Sequence, residues 1–109
     1  MNREERIRRL VHLLLDGATR EQIREFLERK PETTRARLVE WLTALTMPMT
    51  FGKYGRQGLL LGEVYLVDEP YLRWMVKEFG AREYGAEESP LVAAAKLLLQ
   101  RGRNPLRRW

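Results

Sequence analysis

Cysteine is absent from this sequence, and histidine occurs once, as His12. Without cysteine the chain can form no disulfide, no thiolate nucleophile and no zinc finger, and a single histidine leaves any metal site to carboxylates alone. The composition therefore excludes redox chemistry and structural zinc. It predicts a protein with no metal site and no cofactor.

Long apolar runs are also missing. Runs such as Leu13–Leu15, Leu59–Leu61 and Leu97–Leu99 fall far short of the ~20 residues that span a bilayer. No apolar region follows the N-terminal "MNREERIRR", as it would in a secretory signal peptide. We expect a cytoplasmic protein with no membrane partner.

Charge is plentiful and its balance is positive. The 109 residues include 20 Lys and Arg against 15 Asp and Glu, a formal net charge of +5, and most of the cations are arginines. Arginine presents a planar fork of donors that suits phosphate and carboxylate, so an anionic partner such as nucleic acid is favoured. The Arg/Glu-rich, cysteine-free composition is also typical of proteins from thermophiles.

Helical periodicity dominates the N-terminal part of the chain. Apolar residues at i, i+3, i+4 and i+7 form the stripe of an amphipathic helix in residues 3–16. Thr19 and Gln22 have the spacing of a capping box, which predicts a second helix over "TREQIREFLERK". A third helix, "TRARLVEWLTAL", can be capped by Thr33 or Thr34.

The pattern changes after Pro48. Met49–Tyr54 is short and aromatic, Gly55–Gly58 has turn composition, and Leu59–Val67 is rich in leucine, valine and tyrosine, which predicts a β-hairpin. Two more helices are predicted: "EPYLRWMVKEF", with Asp68 as its cap and Pro70 near its first position, and "LVAAAKLLLQR", preceded by Ser89 and Pro90.

These elements predict a mostly helical α+β fold, in which three helices, a β-hairpin and two further helices take a winged-helix-like arrangement. We expect one domain with four parts: a trihelical part at 1–46, a hairpin-helix module at 49–80, a C-terminal helix at 89–101 and a basic tail at 102–109.

The glycine-rich "GKYGRQG" does not match a phosphate-binding loop. A Walker loop needs Lys and then Ser or Thr after its last glycine, at the start of a helix, and a dinucleotide loop needs G-x-G-x-x-G. Here Lys53 precedes the later glycines, and neither Ser nor Thr follows it. Gly55 and Gly58 instead suit a turn, and Gly52 and Gly62 suit bulges or a close backbone approach.

The blocks "FGKYGRQGLLLGEV" and "DEPYLRW" resemble the small module at the C-terminus of exodeoxyribonuclease X-like proteins, which is related to a family of short bacterial proteins described as quorum-sensing-regulated virulence factors. The likeness covers residues 49–76, and this chain departs from it by a longer Gly-Arg-Gln-Gly turn. The matching residues are Phe51, Gly52, Lys53, Tyr54, Glu63, Val64, Asp68, Tyr71, Leu72 and Trp74. The resemblance implies a hairpin packed on a short helix, as a nucleic-acid-binding accessory element, and it brings no catalytic residue.

Three groups of residues are candidates for phosphate contacts. Lys53 and Arg56 would project from the hairpin tip, where the alternative is a solvated basic loop. The aromatic residues beside them suit a small core better than a base-stacking platform.

Arg35 and Arg37 begin the helix that would be the recognition helix of a helix-turn-helix. The alternative is a plain three-helix bundle, because glutamates are interspersed with the arginines along this surface.

The C-terminal segment "RGRNPLRRW" has four arginines, no acid and a terminal tryptophan, which suits phosphate contacts and base stacking. The alternative is a frayed basic terminus. Its arginines are Arg101, Arg103, Arg107 and Arg108.

Catalysis is not predicted, because acid–base or nucleophilic mechanisms need convergent carboxylates or a histidine-centred arrangement. The sequence favours a non-catalytic nucleic-acid-binding accessory protein of DNA or RNA processing or transcription. The alternative is a phage or bacterial protein-interaction module that docks on a larger enzyme through apolar surface of the last helix, such as Leu91, Leu97 or Leu98.

Overall fold

The computed structural model describes residues 2–80 and 89–102, and within these ranges the chain forms seven helices. They are α1 (Arg3–Leu14), α2 (Arg20–Glu28), α3 (Glu32–Leu45), α4 (Gly52–Arg56), α5 (Leu61–Val67), α6 (Glu69–Phe79) and α7 (Pro90–Arg101). Helices α1, α2, α3, α6 and α7 lie where the periodicity predicted helices. The predicted connection at 81–88 is outside the described residues.

Side-chain caps explain several of the helix starts. The capping box of α2 is present: Gln22 N donates to Thr19 Oγ1 at 3.1 Å, and Thr19 N donates to the Gln22 side chain at 2.9 Å. Each such bond satisfies a backbone N–H that the helix itself leaves without a partner. The prediction of a threonine cap for α3 is wrong, because Pro31 is its N-cap and supplies no side-chain bond.

The predicted β-hairpin over residues 49–67 is wrong. In the described part of the chain the only β pairing is one isolated antiparallel bridge between Pro48 and Leu60. Its flanking hydrogen bonds run from Met49 N to Leu59 O at 3.0 Å and from Leu61 N to Met47 O. Helices α4 and α5 occupy the remainder of the segment, so the described fold is all-helical. It is neither α+β nor winged-helix-like, since the wing itself is missing.

Packing explains why residues 61–67 form a helix despite their strand-like composition. Leu61 and Val64 are both fully buried, which the i, i+3 spacing of a helix allows. Gly62 lies between α1 and α3, where an added β-carbon would be 2.8 Å from Leu10 Cδ2. Such contacts with distant helices override local strand propensity.

Helix α7 lies at the centre of the fold and packs against α3, α5 and α6. Ala95 and Leu98 of α7 are both buried and belong to one core with Trp41 and Leu45 of α3. Helix α2 has no buried residue and so lies at the margin of this core.

Candidate nucleic-acid interface

Arg35 and Arg37 are exposed in the first two turns of α3, as the helix-turn-helix interpretation expected. Arg35 borders a surface groove of about 340 Å³ together with Arg20 and Arg24 of α2. Glu28 is the one acidic residue in the described lining of this groove. The lining of this one groove therefore has a positive balance, although other glutamates lie elsewhere on α2 and α3.

A long-range hydrogen bond connects this helix pair to the end of α7. Trp41 of α3 is fully buried, and its indole Nε1 donates to the carbonyl oxygen of Gly102 at 3.3 Å. Arg37 lies one helical turn before Trp41, and Arg101 directly precedes Gly102. Two basic positions that are far apart in sequence thus flank the same hydrogen bond.

The remaining arginines of the tail, Arg103, Arg107 and Arg108, lie outside the described residues, as does Trp109. They follow Gly102 directly in the sequence. Gly102 itself lies beside α3, where it accepts the hydrogen bond from Trp41.

Lys53 and Arg56 do not lie at a hairpin tip, because they belong to the short helix α4. The Lys53 ammonium is 3.9 Å from Asp68 Oδ2 and lies over the rings of Tyr54 and Tyr71, at 4.9 Å and 5.8 Å from their centroids. Arg56 is exposed one turn further along α4. Lys53 thus contributes to the attachment of α4 to α6, although its side chain remains 61% exposed.

Tyr54 and Asp68 form a short hydrogen bond between α4 and the start of α6. The Tyr54 hydroxyl donates to Asp68 Oδ2 at 2.6 Å, and Tyr71 N donates to Asp68 Oδ1 at 3.2 Å. The hydrogen bond from Tyr54 lowers the pKa of the Asp68 carboxyl, with smaller help from the Tyr71 N–H and the Lys53 charge, although burial opposes the shift. The same bond, followed by burial, raises the pKa of the Tyr54 phenol.

Aromatic rings continue this contact across the surface. Tyr54 and Tyr71 meet edge to face with centroids 5.0 Å apart, Trp74 lies 5.5 Å from Tyr71, and Phe79 lies 5.9 Å from Trp74 and 5.6 Å from Phe51. The four rings that were expected to form a small aromatic core instead form, with Phe79, a cluster at the surface in which no ring is buried. Phe51 and Trp74 are 37% and 47% exposed, so the cluster presents ring surface to solvent.

Two features of the candidate interface were missed at the level of sequence. Arg20 and Arg24 of α2 join Arg35, and their i, i+4 spacing was an available signal. A buried tryptophan N–H needs a hydrogen-bond acceptor, which was a second available signal. The acceptor itself, Gly102, could not be predicted from local pattern.

Other kinds of site find no support in the described residues. They contain no group of three or more His, Cys, Asp or Glu side chains able to hold a metal ion, and His12 is exposed on α1. No described helix is both long enough and apolar enough to cross a bilayer. Leu91 and Leu98, which were candidates for a docking surface on the last helix, are 6% and 1% exposed and belong to the core.

Comparison of the chain with models of known protein families, with curated proteins and with solved structures gives no match. The likeness of residues 49–76 to the exodeoxyribonuclease X-like module therefore stays a prediction. Any functional argument for this chain depends on its own geometry and charge.

Proposed function

We propose that the protein is a non-catalytic nucleic-acid-binding protein, an accessory component of cytoplasmic DNA or RNA processing or transcription. The observation that carries this proposal is the hydrogen bond from Trp41 to Gly102. It holds Gly102, where the basic C-terminal segment begins, against α3, on which Arg35 and Arg37 are exposed. One polyanion could then contact arginines from the helix pair and from the tail together.

The mechanism is electrostatic positioning, without bond chemistry. Arginine forks bind phosphate oxygens, and each neutralised phosphate releases counterions, which makes affinity depend steeply on salt. Such contacts hold the strand without reading its bases. Lys53 and Arg56 are a second candidate site for phosphate contact. Lys53 also forms an ion pair with Asp68 there.

A salt-dependent binding titration tests the proposal. The full chain is titrated into labelled single- and double-stranded DNA and RNA of one sequence, at several salt concentrations. We expect micromolar or tighter binding at low salt that weakens steeply as salt is raised. The proposal would be wrong if the chain bound none of the four probes detectably at low salt.

Charge-matched variants locate the surface. The double variant Arg35→Glu with Arg37→Glu is expected to weaken binding at least ~10-fold, because two phosphate contacts are lost and two repulsive charges are added. The control is Arg9→Glu with Arg73→Glu, which changes net charge equally at exposed positions on α1 and α6. Equal loss in both double variants would show that net charge alone matters, and the proposed surface would be wrong.

A further inference from the structure

An open groove of about 930 Å³ lies between α1, α2 and α3, on a part of the chain that is described throughout. Its apolar lining includes Ile7 and Val11 of α1, Ile23 of α2, and Val39 and Leu42 of α3. Val39 is 61% exposed, although it lies beside these apolar neighbours. A volume of this size is in the range of pockets that hold a specific ligand or several side chains of a partner.

Helix α2 contributes Ile23 to the apolar lining of this groove, and Ile23 is only partly buried. Phe26 and Leu27 of α2 are also only partly buried, and no residue of α2 is buried. By contrast, α1, α3, α5, α6 and α7 each bury at least two residues. The amphipathic face of α2 packs against the core through Ile23 and Leu27 but is not fully covered by it.

The charged side chains that line the groove, Arg8 and Arg20, are both positive. Its ionisable lining residues are Arg8, His12 and Arg20, and no aspartate or glutamate contributes to the lining. Arg8 has one ion pair, with Glu4, in which both side chains are about 70% exposed, so the pair is weak and easily exchanged. A partner on this surface gains most if it brings carboxylates to the rim.

The apolar floor and the basic rim together select the kind of partner. A nucleic-acid backbone needs charge but gains little from isoleucine, valine and leucine, whereas an amphipathic helix brings an apolar stripe for the floor and flanking side chains for the rim. A second copy of this chain would bring a net charge of +5 to a rim that is already basic. We propose that the groove between α1, α2 and α3 binds an acidic amphipathic helix of a partner protein.

The test uses a designed probe. It is an end-blocked, fluorescently labelled peptide of about five helical turns, with leucines at i, i+3, i+4 and i+7 and glutamates on both sides of that stripe. The matched peptide carries lysine at every glutamate position. Anisotropy titration with the full chain is expected to give a Kd on the order of 10 µM for the acidic peptide and at least ~10-fold weaker binding for the basic one.

Variants of two exposed valines place the peptide. Val39→Glu puts a carboxylate in the groove and is expected to weaken acidic-peptide binding ~10-fold or more. Val67→Glu is the control, because Val67 is 69% exposed on α5, outside this groove. Arg20→Glu reverses a rim charge at an exposed position and should weaken binding without touching the apolar floor.

Several outcomes would overturn the proposal. The first is that the acidic peptide does not bind at protein concentrations up to millimolar. The second is that both peptides bind equally. The third is that Val39→Glu and Val67→Glu weaken binding equally, in variants whose circular dichroism shows a folded chain. Self-association of the chain that Val39→Glu abolishes would make a second copy the occupant. Loss of nucleic-acid binding in Val39→Glu, with no acidic-peptide binding to the unaltered chain, would assign the groove to nucleic acid.

Discussion

The indole N–H of Trp41 donates to the backbone carbonyl of Gly102 at 3.3 Å, while the Trp41 ring is completely buried. Gly102 directly follows α7 and has φ +69°, a left-handed conformation that glycine adopts at little cost. The bond therefore satisfies a buried donor and fixes where the chain leaves the helical core. It connects the end of α7 to α3, the helix on which Arg35 and Arg37 are exposed.

Substitution Trp41→Phe should destabilise the fold by about 2 kcal/mol, because it removes this hydrogen bond and also leaves unfilled volume in the core. Urea denaturation measures the change. The matched substitution is Trp74→Phe, at a tryptophan that is 47% exposed, and it should cost less than about 1 kcal/mol. Similar costs at the two positions would contradict the buried role of Trp41.

Gly52 and Gly58 offer a matched pair of glycines, since both have φ +72°. A β-carbon on Gly52 would lie 2.5 Å from the Tyr71 hydroxyl, whereas one on Gly58 would meet nothing within 4 Å. Gly58→Ala should therefore cost only the backbone strain, about 1 kcal/mol, and Gly52→Ala should cost about 1–3 kcal/mol more. Tyr71→Phe removes the clashing oxygen and should recover part of the difference in a double-mutant cycle. An additive cycle would show that the hydroxyl is not the obstacle.

The contact between Tyr54 and Asp68 should make stability depend on pH at both ends of the range. The pKa of Asp68 is lowered on folding, so its contribution is present above the ordinary value of 3.8 and is lost as the pH falls through the lowered pKa. The pKa of Tyr54 is raised on folding, so its contribution is present below 10.0 and is lost as the pH rises through the raised pKa.

Substitution Tyr54→Phe tests this dependence. The difference in unfolding free energy between the unaltered chain and the variant should be constant between about pH 5 and pH 9 and should narrow on either side. Urea denaturation across this range measures it, with Asp68→Asn as the background control in which the narrowing at low pH should disappear. A difference that stays constant to pH 2 would contradict the lowered pKa of Asp68.

Local sequence pattern was sufficient to predict some of the helices. It was insufficient to predict the structure of the segment between α3 and α6. The start of α2 was predictable because Thr19 and Gln22 satisfy their own backbone groups, which is a local event. The role of Gly62 was not predictable, because it depends on contacts with Leu10 and Leu45, which are distant in sequence. From the sequence alone, a glycine that permits helices to approach cannot be distinguished from a glycine in a β-bulge.

The candidate interface was only partly predictable for the same reason. The composition of the tail and the exposure of Arg35 and Arg37 follow from charge and helical spacing, which are local properties. The proximity of Arg101 to α3 depends on the packing of α7 against α3 and on the hydrogen bond from Trp41 to Gly102, and no sequence period encodes either. The expected hairpin tip is wrong because Lys53 lies in helix α4, where its contacts with Tyr71 and Asp68 come from the packing of α4 against the start of α6.

Truncation after Gly102 should reduce the salt dependence of nucleic-acid binding and leave the Trp41 contact intact. It removes Arg103, Arg107 and Arg108, and each phosphate contact contributes about 0.9 to the slope of log K against log salt on duplex DNA and about 0.7 on single strands. If all three arginines contact phosphate, the slope should fall by roughly 2 to 3. A triple Arg→Lys variant at the same positions keeps the charge and should keep most of the slope, which separates charge from guanidinium geometry. An unchanged slope after truncation would mean that the phosphate contacts lie on the helices alone, and the tail would then have no part in binding.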